Sequence, residues 1–272
     1  MSTRFGIFVE NYDLIKTHNE DESSSFKKAV NEFADLSKEE FTSRYLSASM
    51  KKPDTLRLAE KPAHKMLKAS NLPESVDWNA AGKVSVPGNQ YSCGSCWAWT
   101  TASTLESLNA IENNLDKVPH YSVQYLLDCD DVNDACDGGW MLDAYDFTRE
   151  MGIVAWDDYA RTYSSRKNKC VIPRATTPKF RNNDAFEEDQ VTNERLKELV
   201  AKQPVGIAIF SSWDCLGFYS SGVLMEKDCI CSDPTKDDVN HAVTLVGYGK
   251  SERAGCSEYW LIRNSWGATW GE

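Results

Sequence analysis

The sequence predicts an α+β protein made of two unequal parts. Three observations point there: a compositional seam near residue 71, helical spacing of side chains on both sides of it, and two late apolar runs that read as strands ending in glycines or a polar turn. Residues 1–71 hold no Cys, no Trp and one of the 15 Gly, whereas all nine Cys and all nine Trp fall between Trp78 and Trp270. The first part is slightly basic and the rest is strongly acidic, which leaves the chain at −11. Residues 51–70 mix Lys, Pro and Ala without a period and read as a linker. The boundary is placed at residues 71–73, dividing the chain into 1–71 and 72–272.

Within the first part, Arg4, Phe8, Asn11, Ile15 and Asn19 recur at helical spacing and form one stripe. Two asparagines on such a stripe must be hydrogen-bonded if buried, so this face is expected to dock on something specific. An ordinary amphipathic core helix is the competing reading. The alternation over residues 29–35 suggests a short extended piece. Ser37, with Glu40 three residues on, forms a capping box for a second helix. Two helices and one strand are too little for an independent core, so this part needs the rest of the chain as its partner.

With 272 residues and 41% apolar side chains, the chain can bury a substantial core, and no run of about 18 apolar residues could span a membrane as a helix. The negative charge and scattered Lys and Arg disfavour nucleic acid. Neither nucleic acid nor a membrane is expected as a partner. The odd cysteine count suggests an oxidising compartment with one reactive thiol left over, against several buried reduced thiols. Met1 runs into polar residues with no secretory signal, so the native start is expected upstream.

The sharpest motif is Gln90-Tyr91-Ser92-Cys93-Gly94-Ser95-Cys96-Trp97. Ala98, Ala102, Leu105 and Leu108 then follow at helical spacing, and Asn113 and Asn114 end the run. Cys96 thus opens a helix, where the dipole and free N–H groups favour a thiolate and depress its pKa. A redox pair or a zinc site competes for Cys93 and Cys96. Zinc lacks a second matched pair, because Cys229 and Cys231 are too close and Cys129 and Cys136 too far apart.

A nucleophilic Cys needs a base. Among the four His, His241 opens an apolar run ending in Gly247 and Gly249, a buried-strand pattern that would aim the ring into a cleft. Asn264, at the end of a strand-like run from residue 258, can accept the imidazole N–H and set its tautomer. Trp266 would shield that bond. Gln90 is a candidate oxyanion donor through its side-chain amide, beside the Cys96 N–H.

These residues resemble the papain family of cysteine peptidases. The resemblance rests on Gln90 to Trp97, Asn240-His241-Ala242, Val246-Gly247-Tyr248-Gly249, Asn264-Ser265-Trp266-Gly267, Cys136-Asp137-Gly138-Gly139, and residues 72–78, which are similar to a mature N-terminus. The stripe on residues 4–19 and the Asn31/Phe33/Asp35 run resemble the inhibitory propeptide of the cathepsin L-like branch. The resemblance implies a papain-like fold, a helical domain and a β-barrel-like domain, preceded by a helical propeptide. It also implies a latent cysteine endopeptidase with Cys96 as nucleophile, His241 as base and acid, Asn264 as orienter and Gln90 in the oxyanion hole. Gly138, Gly139 and Trp266 would bind substrate, and Cys93–Cys136 and Cys129–Cys170 would be disulfides. No metal or cofactor is implied. Polypeptides would be the substrates, the propeptide the intramolecular inhibitor, and the lysosome or the extracellular space the location.

Departures from the family pattern define the alternative. Tyr91 stands where Gly is usual and could crowd the oxyanion region; Trp99 replaces a Phe and Ala29 a Gly. Both ends are expected to be truncated, leaving the second domain incomplete. An inactive papain-like protein that binds peptides or proteases is therefore the alternative function. Residues 179–190 read as a polar interdomain stretch or a plain solvated loop.

Overall fold

The structure is a computed structural model that describes residues 3–47, 50, 72–189, 191–225, 239–251 and 257–272. The linker read at 51–70, and Cys229, Cys231 and Cys256, lie outside the described residues.

Helix α1 (Arg4–Glu20) starts where the Thr3 side chain accepts from the Gly6 amide. Its asparagines dock on backbone. Buried Asn11 donates to the carbonyls of Ala34 at 2.9 Å and Leu36 at 3.0 Å. Asn19 donates to the Lys28 carbonyl at 2.8 Å and accepts from the Lys28 amide at 3.0 Å, extending strand β1 (Phe26–Lys28) by one amide group. Arg4 reaches the Asp35 carbonyl and both carboxylate oxygens of Glu40. The stripe therefore clamps the chain that follows it through its polar members, while Ile15 and Phe8 pack into the apolar cluster around Phe33 and Phe41.

Residues 31–36 form a turn, not the extended piece the alternation suggested. The Asn31 side chain accepts from the Phe33 amide at 3.0 Å, and its carbonyl accepts from the Ala34 amide at 3.1 Å. An Asn that bonds its own local backbone diverts the chain from a ladder. The turn buries Phe33 completely, edge-on to Phe41, Tyr45 and Trp266 with centroids 4.8–5.4 Å apart. Helix α2 (Lys38–Tyr45) carries the capping box between Ser37 and Glu40. Its Phe41 lies 5.0 Å from Trp213. Strand β1 pairs antiparallel with β6 (Tyr219–Gly222), and the Asn31 side chain donates to the Gly217 carbonyl at 2.8 Å. The N-terminal segment thus finds its missing core on the rest of the chain.

Beyond residue 72 the elements form two halves. One packs α3 (Cys96–Glu112) against α4 (Val123–Cys129) and α5 (Met141–Met151), with the pair β3 (Ile153–Val154) and β4 (Lys179–Phe180). The other is an antiparallel sheet around β7 (His241–Lys250), which pairs with β5 (Val205–Ile209), β2 (Val76–Asp77) and β8 (Glu258–Arg263). Helix α3 is buried on nearly every side because it also packs on β7, where the halves meet. Residues 179–189 are no plain loop: they open as β4, and buried Asn182 accepts from the Thr148 hydroxyl at 2.8 Å and donates to the Tyr145 carbonyl at 3.1 Å. A buried polar chain also joins the halves. Arg263 donates to Ser85 and the Val86 carbonyl, the Ser85 hydroxyl donates to the Glu106 carboxylate, and Glu106 accepts from the Tyr121 amide and meets His120 Nδ1 at 2.9 Å. No described helix is long and apolar enough to cross a membrane.

Asn11→Ala leaves two carbonyls without their donor and is expected to destabilise the N-terminal segment by about 1–3 kcal/mol. Guanidinium unfolding followed by tryptophan fluorescence should show the loss; an unchanged midpoint would remove Asn11 from this account.

Candidate active site

Cys96 stands at the first position of α3, as its spacing predicts. The approach is tight. Gly94 donates its amide to the Cys136 carbonyl at 2.9 Å, and a Cβ at residue 94 would lie 2.5 Å from that oxygen. Cys93 is bonded to Cys136, Cys129 to Cys170, and Cys215 is disulfide-bonded as well, which leaves Cys96 as the free thiol among the described residues. With Cys93 bound elsewhere, the Cys-x-x-Cys redox reading loses its bond.

His241 opens β7 and is fully buried. Its Nε2 lies 2.8 Å from Asn264 Oδ1, and its ring stacks on Trp266 at 4.8 Å and 25°. A carbonyl oxygen can only accept, so the proton sits on Nε2 and leaves Nδ1 as the basic nitrogen. Nδ1 is buried without a hydrogen-bond partner. The Ala242 amide, next along β7, donates towards the Cys96 sulfur, so the start of β7 and the start of α3 share one site.

Gln90 is held on every polar atom. Its amide donates to the Ser265 carbonyl at 2.8 Å, its Oε1 accepts from the Ser265 hydroxyl at 2.6 Å, and its own carbonyl accepts from the Tyr163 hydroxyl at 2.7 Å. The hydroxyl on Oε1 orients the NH2 group away from Ser265. One Nε2 bond goes to the Cys93 carbonyl and the other to the carbonyl of Tyr45, both at 2.9 Å. Two residues on, Ser47 places its hydroxyl 3.4 Å from Cys96 Sγ and 3.0 Å from the Gly94 carbonyl, with one proton to share between them. The Ser47 amide donates to the Asn240 carbonyl at 2.9 Å. Residues 45–47 therefore cross the site and bond to both halves.

Comparison with known proteins fits this geometry. The family model described as papain family cysteine protease matches residues 72–272, and that of the cathepsin propeptide inhibitor domain (I29) matches residues 1–41. The chain belongs to the papain family of cysteine proteases. It is similar to the thiol protease SEN102 of Hemerocallis sp., at 33% identity over 99% of this chain and 72% of that one. It is also similar to the oryzain beta chain of Oryza sativa subsp. japonica, at 37% identity over 99% of this chain and 55% of that one. Among solved structures it resembles the digestive procathepsin L2 proteinase from Tenebrio molitor larval midgut, with TM-score 0.83 at 31% identity over 98% and 84% of the two chains. The proform of the ragweed pollen allergen Amb a 11 gives TM-score 0.81 at 33% identity over 99% and 78%. The protein is a papain-like cysteine endopeptidase that carries a cathepsin-type propeptide.

Other residues named from sequence take the following places in this papain-family protein. Gly139 is required by packing, since a Cβ there would lie 2.4 Å from Asn133 Oδ1. Gly138 has φ 131°, in the glycine region. Neither makes one of the bonds that residues 45–47 form across the site. Trp266 is fully buried between His241 and the propeptide ring of Phe33. Tyr91 adopts φ 48° and is 55% exposed, so its ring faces outward instead of crowding Gln90. Trp99 fills the space over Gly88, where any Cβ would overlap its ring, and meets Tyr163 edge-on at 5.0 Å. Sequence reasoning missed Ser47, Ser265 and Tyr163. Ser265 lies inside a motif already singled out, whereas Ser47 and Tyr163 carry no pattern of their own.

The electrostatics reverse the expectation for Cys96. Burial pushes its thiol up, against the Ser47 hydroxyl and nearby backbone amides that favour the thiolate. Burial likewise pushes His241 down to about 4, against its bond to Asn264. The helix terminus is present, but residues 45–47 lie over the site and desolvation wins. Thiol and imidazole are both neutral near pH 7 in this state.

Undocking that hydrates His241 returns it towards its ordinary value of about 6.5. The undocked form then binds a proton that the docked form refuses. Docking is strongest above about pH 6.5, weakens as pH falls towards 4, and loses at most about 3 kcal/mol from this group. Glu40 is held below its usual range by Arg4 of the same segment and so does not report on docking; Glu32, raised by burial near Asn89, has the opposite sign to His241. In a Cys96→Ala background, acid undocking is therefore expected between pH 6.5 and 4, read from Trp213 and Trp266 fluorescence. Adding His241→Gln should flatten it across that window, and an unaltered pH dependence would exclude His241 as its source.

Proposed function

We propose that residues 1–71 are an inhibitory propeptide with its linker and residues 72–272 the peptidase domain, and that this is a latent endopeptidase acting through Cys96, His241 and Asn264. The observation that carries the proposal is a peptide carbonyl, that of Tyr45, on the Gln90 amide while the next residues cross Cys96. A chain lying there with its carbonyl on a side-chain amide marks where a scissile peptide would bind. Ser47 presents its hydroxyl to the sulfur at 3.4 Å, so this segment occupies the site beside the nucleophile.

In the free enzyme, hydration lets the thiol proton pass to His241 Nδ1, giving thiolate and imidazolium. The Cys96 sulfur attacks the substrate carbonyl carbon, and the oxyanion takes hydrogen bonds from Gln90 Nε2 and the Cys96 amide. Asn264 holds Nε2–H throughout, keeping Nδ1 aimed at the reaction. His241 gives its proton to the leaving amine as the C–N bond breaks and the thioester forms. It then takes a proton from water, whose oxygen attacks the thioester carbon; the C–S bond breaks, the carboxylic acid product leaves, and the sulfur recovers its proton from His241. Gly138 and Gly139 offer backbone to an extended peptide, and Trp266 keeps water from the His241–Asn264 bond. The substrates are polypeptides. Disulfide-bonded cysteines and acid-weakened docking suit a lysosomal, vacuolar or extracellular setting.

Acid-treated protein is expected to cleave peptide amides and to take up a peptidyl epoxide at Cys96, seen by mass spectrometry. Cys96→Ala should abolish both, and Gln90→Ala should lower kcat by about 100-fold. A processed protein that neither cleaves nor labels would favour the non-catalytic alternative.

A further inference from the structure

The loop after α5 sends one side chain under the site. Tyr163 is half-buried, edge-on to Trp99 at 5.0 Å, and its hydroxyl contacts two residues of the nucleophile loop. It lies 2.7 Å from the Gln90 carbonyl and 2.8 Å from the Ser95 hydroxyl. A phenol has one proton and a carbonyl only accepts, so Tyr163 donates to Gln90 and accepts from Ser95. Burial raises the Tyr163 pKa, which keeps the phenol protonated and able to donate.

These contacts are placed on the two halves of the proposed oxyanion hole. Gln90 carries the side-chain donor. Ser95 shares its peptide group with the Cys96 amide, the backbone donor; its side chain makes no helix-capping bond, and among the described residues its hydroxyl meets, besides Tyr163, only the Cys93 carbonyl, at a long 3.4 Å. The peptide group joining Gln90 to Tyr91 is also held at its other end, where the Tyr91 amide donates to Asn89 Oδ1 at 2.8 Å. Tyr91 follows at φ 48°, a conformation costing a side-chain-bearing residue about 1–2 kcal/mol. Without the bond from Tyr163, that peptide group can relax by rotation and carry the Gln90 amide with it.

Resting on the function proposed above, we propose that Tyr163 is a positioning residue that sets the spacing between Gln90 and the Cys96 amide. It touches neither substrate nor sulfur, so it acts only on steps that develop an oxyanion. Displacing a donor by about 1 Å can cost about 100-fold in rate, and losing one costs 100–1,000-fold.

The test compares wild type and Tyr163→Phe after acid processing. For a peptide amide, kcat is expected to fall about 10- to 100-fold with KM within about twofold. Affinity for a peptide aldehyde, whose hemithioacetal oxygen uses the same hole, should fall by a similar factor. Alkylation of Cys96 by iodoacetamide develops no oxyanion, and its rate should stay within about twofold. Ser95→Ala, which keeps the Tyr163–Gln90 bond, should move kcat and aldehyde affinity the same way by less, and carries the test if Tyr163→Phe does not fold. Unchanged kcat overturns the inference, as does a parallel fall in kcat and alkylation rate, which would mark a general structural role. A wild type that does not cleave or label fails the underlying reading instead.

Discussion

Where the first turn of α3 meets the start of β7, a thiol and an imidazole are buried together without charge. Cys96 contributes a sulfur that its helix terminus would ionise, and His241 a nitrogen free to accept its proton. Neither ionises while water is excluded, because separating charge in a dry site costs more than three backbone amides and a hydroxyl return. Latency and competence are thus two solvation states of one arrangement. The covalent framework, the tautomer of His241 and the clamp on Gln90 all stand ready in the docked form.

What keeps water out is mostly aromatic packing. Phe33, Phe41 and Tyr45 from the N-terminal segment close on Trp213 and Trp266, and β1 adds a short ladder to β6. Among the described residues, ion pairing across this interface is slight, as the exposed Lys38–Asp214 pair at 3.5 Å illustrates. The contrast between a slightly basic segment and an acidic enzyme, so visible in the composition, therefore describes the interface poorly. Trp266 belongs to both systems, since one face stacks on His241 and its edge receives Phe33. Displacing the propeptide would expose the very ring that covers the His241–Asn264 bond.

Much of the fold was legible because local rules and tertiary packing agree. The helix opened by Cys96, the capping box at Ser37 and the strand opened by His241 each carry a signal read within a few residues. Residues 31–36 were misread because alternation is a weak signal beside an Asn that can bond its own turn. Asn11 and Asn19 were flagged as docking residues, but their partners are backbone carbonyls and an amide, which have no side-chain identity to read. Tyr163 escaped for a related reason. Its contacts lie 73 and 68 positions away, and the Gln90 end is again a carbonyl.

By itself the sequence determined the chemistry available: a cysteine at a helix start, a histidine at a strand start, and the side-chain amides of Asn264 and Gln90. Those are matters of residue type and short spacing. Only the tertiary structure decided the state of that chemistry. Desolvation depends on what lies overhead, and it took residues 45–47, about 50 positions before Cys96, to bury the thiol and discharge the pair. Tertiary structure also decided how rigidly the Gln90 amide is held, since its partners Ser265 and Tyr163 come from distant loops. Charge state and donor placement are properties of an environment, and an environment is assembled only when the chain folds.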